Sequence, residues 1–246
     1  MKSYALIGKT LTHAFSKAFF DEKFRRENIT GCRYLLVPLS SIDELISFIK
    51  SNPDLKGLNV TIPYKEALLP LLDELDPMAV EVGAVNTIVI KRRGESIWLK
   101  GYNTDVFGFE NSCVGLRHAQ HALVLGSGGA AKAAHYVLQQ NGIDYLTVSR
   151  NPKNNDEIAY RDVDAQLLEN YKLIINTTPL GMFPDVKSFP PLPYQQLSRE
   201  HYLFDMVYNP SETEFLKRGK AAGATTQNGL QMFTLQAEKA WEIWNS

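Results

Sequence analysis

The sequence predicts an α/β protein built as two α/β domains flanking a cleft. Three observations carry that expectation. Residues 121–134, HALVLGSGGAAKAA, pass from a short apolar run through a glycine turn straight into an alanine-rich helical pattern. Short apolar runs alternate with helical patterns on both sides of this stretch, the order that strands and crossover helices take in α/β proteins. A first series of such units closes near residue 101, before the glycine turn opens a second. The expected domains are therefore 1–101, completed by a last helix at 229–246, and 102–228, a Rossmann-like doubly wound parallel sheet.

The glycine turn has the layout that cradles a pyrophosphate. Gly126 allows the sharp turn, Gly128 allows close approach of the backbone, and the small Ala131 allows close helix–strand packing. The N–H groups at the helix start, around Gly129 and Ala130, would face the anion. The second strand of the unit, 144–150, ends in Ser149-Arg150 with Lys153 close behind, where NAD-binding versions carry an acid for the ribose 2′-hydroxyl. A hydroxyl and a cation suit a 2′-phosphate better, so the expected cofactor is NADP.

Composition narrows the class. In 246 residues there are 26 basic and 27 acidic side chains and no dense basic tract, which argues against nucleic acid as the partner. Cys32 and Cys113 stand far apart, so neither a disulfide framework nor a structural metal site is expected. The opening MKSYALIGKT is too short and polar for a signal peptide or a membrane span, and a cytoplasmic protein is expected.

Taken in order, 3–7 reads as a first strand, 10–16 as a polar loop, and the pattern from there to about 28 as a helix. A strand at 32–39 follows, then a helix opened by a capping box at Ser41 to Glu44. Residues 56–62 read as a strand, and Pro63 forces the chain out. Asn59, Thr61 and Lys65 sit at that exit, where α/β proteins gather ligands. Residues 68–76 read as short helix and loop, and 83–90, GAVNTIVI, as a strand with polar Asn86 and Thr87 inside it, followed by a turn and a hairpin strand at 96–100. Thr104 or Asp105 caps a helix running to 115, and local sequence alone reads Asp105 as that cap.

In the second half, 171–176 is a strand leaving through Thr177-Thr178-Pro179, and 185–193 is irregular. A strand at 202–206 turns at Tyr208-Asn209-Pro210; a capping box at Ser211 to Glu214 opens a helix over 212–222, ended by Gly223. A very short strand at 224–226 precedes the last helix, 230–244, whose Phe233, Ala237, Ala240, Trp241 and Trp244 form one apolar face with Gln236 at its edge.

Several motifs together resemble shikimate dehydrogenase. They are NVTIPYK at 59–65, GAVNT at 83–87, NTD at 103–105, GSGGAA at 126–131, SR at 149–150, INTTPLGM at 175–182, DMVYNP at 205–210 and GLQMFTLQA at 229–237. They stand in the family's order and cover nearly the whole chain. The resemblance implies NADPH-dependent, reversible reduction of 3-dehydroshikimate to shikimate, on the route to chorismate and aromatic amino acids, by a monomer or homodimer. It implies Lys65 and Asp105 as the catalytic pair. Ser16, Asn59, Thr61, Asn86, Tyr208 and Gln236 become substrate-binding residues. Gly126, Gly128, Gly129, Ala130, Ser149, Arg150, Asn151, Thr177, Thr178 and Gly229 become cofactor-binding residues, with no metal.

Three departures from the family stand out. Ala14 replaces a usual serine, one hydroxyl contact to the substrate carboxylate worth roughly 1.5–3 kcal/mol. Asn151 replaces a threonine, and the segment 151–162 is short, which predicts a reduced adenine-side helix. Two alternatives stay open: an NAD(P)-dependent quinate/shikimate dehydrogenase, against which Ser149-Arg150 argues, and a non-catalytic binding protein, against which the presence of both Lys65 and Asp105 argues.

Overall fold

The computed structural model describes residues 1–11, 15–153 and 156–246. His13 and Ala14, and with Ala14 the first departure, lie outside the described residues. The chain divides into two compact units, Met1–Thr104 with Ala237–Ser246, and Asp105–Gln236. The second break thus falls inside the last helix rather than ahead of it.

The first unit contains β1 (Lys2–Gly8), α1 (Phe15–Arg26), β2 (Cys32–Pro38), α2 (Glu44–Ser51), β3 (Leu55–Val60), α3 (Tyr64–Ala67), β4 (Glu74–Leu75), α4 (Pro77–Val82), β5 (Thr87–Arg93) and β6 (Ser96–Tyr102). Its six strands lie in the order β2-β1-β3-β5-β6-β4. β1 is parallel to β2 and β3, and β5 is antiparallel to both β3 and β6. Alternation along β1 divides the core: Ala5 and Ile7 pack with Leu45, Ile49 and Leu58, while Tyr4 and Leu6 pack with Phe20, Tyr34, Ala240 and Trp244. Trp244 lies over Gly57, where any Cβ would strike the indole, and its Nε1 donates to the Ile88 carbonyl at 3.0 Å.

The second unit runs through α5 (Thr104–Ser112), β7 (His121–Leu125), α6 (Gly129–Gln140), β8 (Asp144–Ser149), β9 (Glu157–Ala159), α7 (Ala165–Asn170), β10 (Leu173–Asn176), β11 (Tyr202–Asp205), α8 (Glu214–Ala221), β12 (Thr225–Asn228) and the start of α9 (Leu230–Trp244). Its strands lie in the order β12-β11-β10-β7-β8-β9, all parallel. Numbered within the unit, that is 3-2-1-4-5-6 read from β9, the doubly wound order whose switch point falls between β7 and β10.

Several local expectations change. The run 83–90 is not one strand: α4 precedes it, started by Pro77 and by Asp76, whose carboxylate accepts from Met78 N–H at 3.1 Å, and ended by Gly83 at φ 65°. β5 therefore starts at Thr87. Residues 74–75 within the expected loop pair with β6. The cap of α8 is Thr213, whose hydroxyl accepts from Leu216 N–H, rather than Ser211. The short segment after β8 leads into a three-residue strand, β9, that no sequence pattern announced.

Candidate active site

The first unit gathers its polar site residues into a buried network at the exits of β3 and β6. Asn59, at the end of β3, accepts from the Tyr34 hydroxyl at 2.7 Å and donates to Thr87 Oγ1 at 3.2 Å. Strand register puts Asn59 opposite Thr87, so the contact follows from sheet pairing. Asn86, next along, accepts from Thr104 N–H at 2.7 Å and donates to Thr104 Oγ1 at 3.0 Å. Asn103 Nδ2 donates to the Ala84 carbonyl at 2.9 Å. These amides are 2–6% exposed, and a buried amide left without partners costs about 1–3 kcal/mol, so the contacts hold their segments in one arrangement.

Lys65 joins this network through its backbone. It sits half-buried in α3, and its carbonyl accepts from Val85 N–H at 2.8 Å. The 84–86 stretch thus holds the Lys65 main chain on one side and Asn103 and Thr104 on the other. Asp105 is the next residue in the chain and is buried. Thr61 is tied by its N–H to the Ile7 carbonyl at 2.9 Å, and Ser16 is buried in the first turn of α1.

In the second unit, Asp105 lies in the first turn of α5, which packs against α9 at Gly108. A Cβ there would stand 2.6 Å from the Met232 carbonyl and 3.1 Å from Gln236 Cβ. The close approach brings Asp105 and Gln236 onto neighbouring helices; Gln236 Nε2 donates to the Phe233 carbonyl at 3.0 Å. Tyr208 stacks on Phe233 with ring centroids 4.7 Å apart. Burial, with the Asp105 carboxylate adding to it, pushes the Tyr208 phenol well above its ordinary range.

The glycine turn lies at the switch point. Gly126 has φ 109°, and a Cβ on it would lie 2.7 Å from Thr177 Oγ1 and 3.0 Å from Thr178 Cγ2, so only glycine lets the exits of β7 and β10 meet. Gly128 caps α6 with no side chain bonded to the helix start, and the space where its Cβ would be is open. Gly129 and Ala130 begin the helix. This backbone and open space fit a dinucleotide pyrophosphate, which the α6 N–H groups would hold. Thr177 Oγ1 donates to the Leu125 carbonyl at 2.7 Å, and Thr178 bonds Asn176 through both N–H and hydroxyl. Gly229 lies against the Met206 carbonyl too closely for any side chain, and its N–H donates to the Val207 carbonyl at 3.3 Å. At the end of β8, Arg150 and Asn151 are exposed, whereas the buried Ser149 donates to Glu157 at 3.1 Å.

Sequence reasoning missed three contributors. Thr87 and Thr104 complete the amide network, and their signal was a hydroxyl beside each asparagine. Asp205, within DMVYNP, is fully buried; it accepts from Asn176 Nδ2 at 2.9 Å, Val207 N–H at 3.0 Å and the Thr213 hydroxyl. It ties the exits of β10 and β11 together, and burial pushes its carboxyl up to about 7 against those three donors.

Residues 6–88 match the family model described as shikimate dehydrogenase substrate binding domain. The NADP(+) shikimate dehydrogenase of Clostridium beijerinckii is 38% identical, covering 99% of this chain and 92% of that protein. Shikimate dehydrogenase 1 of Peptoclostridium difficile is 35% identical with a TM-score of 0.85, covering 100% of this chain and 92% of that one. The shikimate 5-dehydrogenase of Thermus thermophilus, solved with NADP(H) and shikimate, is 28% identical with a TM-score of 0.83, covering 99% of this chain and 93% of that one.

Proposed function

The chain belongs to the shikimate dehydrogenase family, and from that premise we propose that Lys65 and Asp105 carry its reaction, the NADPH-dependent reversible reduction of 3-dehydroshikimate to shikimate. The carrying observation is the buried network that holds the Lys65 main chain, Asn86 and Thr104 around one stretch, with Asp105 following Thr104 directly. When bound, the nicotinamide supplies the hydride.

The remaining chemistry falls to side chains. Negative charge develops on the substrate carbonyl oxygen, and the Lys65 ammonium stabilises it there and hands it a proton. Asp105 orients that ammonium and accepts from a substrate hydroxyl, and the two share one proton inventory. Ser16 and Thr61 donate to the substrate carboxylate; Asn59, Asn86 and Gln236 bind its hydroxyls; Tyr208 lines the ring. Gly126, Gly128, Gly129 and Ala130 hold the pyrophosphate, with Thr177, Thr178 and Gly229 beside the cofactor. Ser149, Arg150 and Asn151 serve the 2′-phosphate. The domains proposed on this reading are a substrate domain of 1–101 with the last helix and a cofactor domain over 102–228.

Among the described residues no helix is long and apolar enough to cross a membrane, and Cys32 and Cys113 are free thiols. A cytoplasmic location accords with the free thiols, and a monomer or homodimer is part of the same proposal. The test is NADPH oxidation followed by absorbance with 3-dehydroshikimate as substrate, with NADH in parallel. Fast turnover with NADPH and much slower turnover with NADH is the expected result. Equal use of NADH points instead to the quinate/shikimate branch, and no turnover by folded protein contradicts the reading.

A further inference from the structure

β9 lies parallel to β8 at the edge of the sheet, and it brings an acid to the end of that strand. In the β8–β9 pairing Glu157 stands opposite Thr147, two residues before the Ser149–Ala159 pair. Its side chain reaches along the strand so that Oε2 accepts from Ser149 Oγ at 3.1 Å and from Lys153 N–H at 3.1 Å. A hydroxyl and a main-chain N–H that would suit a phosphate are both turned onto a carboxylate.

Two physical consequences follow. A 2′-phosphate that draws on Ser149 must displace an existing charge-assisted bond. It must also accept a neighbouring negative charge, which costs free energy at any effective dielectric. A ribose 2′-hydroxyl meets neither obstacle, and an acid at this strand end is the group that accepts from it in NAD-binding units. Arg150 pulls the other way: it is exposed at the same strand end and lies close enough to Tyr160 to act on its phenol. His135, close enough to feel the same carboxylate, adds no cation at neutral pH, because burial keeps it neutral down to about 4.

The geometry points to Glu157 as a specificity-determining residue that disfavours the 2′-phosphate and so narrows the preference for NADP over NAD that Arg150 creates. This inference rests on the second unit being the NADP site. Glu157→Gln removes the charge and keeps a carbonyl oxygen for both donors, so the β8–β9 contact survives; thermal melting of the variant checks that.

The experiment is calorimetric titration of the free enzyme and of Glu157→Gln with NADP+, NAD+, 2′,5′-ADP and 5′-AMP at low salt. Removing one negative charge at a partly solvated site should tighten NADP+ and 2′,5′-ADP roughly three- to tenfold and leave NAD+ and 5′-AMP within about twofold. The gain should shrink at high salt. Unchanged or weaker NADP+ binding in Glu157→Gln overturns the inference, as does an equal change for all four probes. If the unaltered enzyme binds NADP+ and Arg150→Gln weakens it, the site reading stands even where the Glu157 inference falls. If the unaltered enzyme binds neither dinucleotide, both fall.

Discussion

The polar pole of the first unit and the glycine turn of the second build their sites by opposite means. Around Asn59 and Asn86 the work is done by side chains, buried and bonded to one another, so geometry is set before any ligand arrives. At Gly126 the Thr177 and Thr178 side chains leave room for glycine alone, and at Gly128 what remains is uncapped backbone beside open space. A network of side chains can aim single groups at a reacting carbonyl. Bare N–H groups at a helix start can hold a large anion without aiming anything. Substitutions in the first region should therefore change chemistry and stability, and those in the second should change cofactor affinity.

Four substitutions break or sharpen that contrast. Lys65→Ala should lower kcat by about 10²–10⁴ in steady-state assays, the range for losing a general acid, with the melting temperature nearly unmoved. Asn86→Ala should destabilise the first unit by about 1–3 kcal/mol in urea unfolding, because the Thr104 N–H is left buried without its 2.7 Å acceptor. Arg150→Gln should raise the KM for NADPH by roughly tenfold, leave NADH unchanged, and leave kcat alone, as expected for one lost charge-assisted phosphate contact. His135 offers the smallest effect. Its ring stacks on Tyr145 at 4.4 Å, and burial pushes its pKa from 6.5 down to about 4. The folded state therefore prefers the neutral ring, so its contribution is complete above pH 6.5 and is lost as pH falls through 4. His135→Gln should flatten that part of the curve of melting temperature against pH.

What was legible in the sequence follows the same division. The β7–glycine–α6 passage was readable because every part of its signal is local: a buried run, a turn that needs φ 109°, and a run of small helix formers. The apolar face of α9 was readable from its period. α4 was missed because its Val-Glu-Val end runs into Gly83-Ala84-Val85 and mimics a strand, although Asp76-Pro77 marked a helix start. β4, with two residues, and β9, with three, are held by their neighbours in the sheet rather than by their own composition. Thr104, which bonds Asn86, and Asn176, which bonds Asp205, lie 18 and 29 residues away in the chain, and only folding joins them. The roles proposed for Lys65, Asp105 and Ser16 came from family resemblance, since spacing alone reads Asp105 as a helix cap.

The most direct test measures NADPH affinity and single-turnover hydride transfer side by side in Lys65→Ala and Arg150→Gln. Lys65→Ala should bind NADPH normally and transfer hydride at least about a hundredfold more slowly, a loss within the range of one general acid. Arg150→Gln should bind NADPH weakly and, once saturated, transfer hydride at the unaltered rate. Loss of NADPH binding in Lys65→Ala, or normal hydride transfer in it, would contradict the separation of chemistry from cofactor holding.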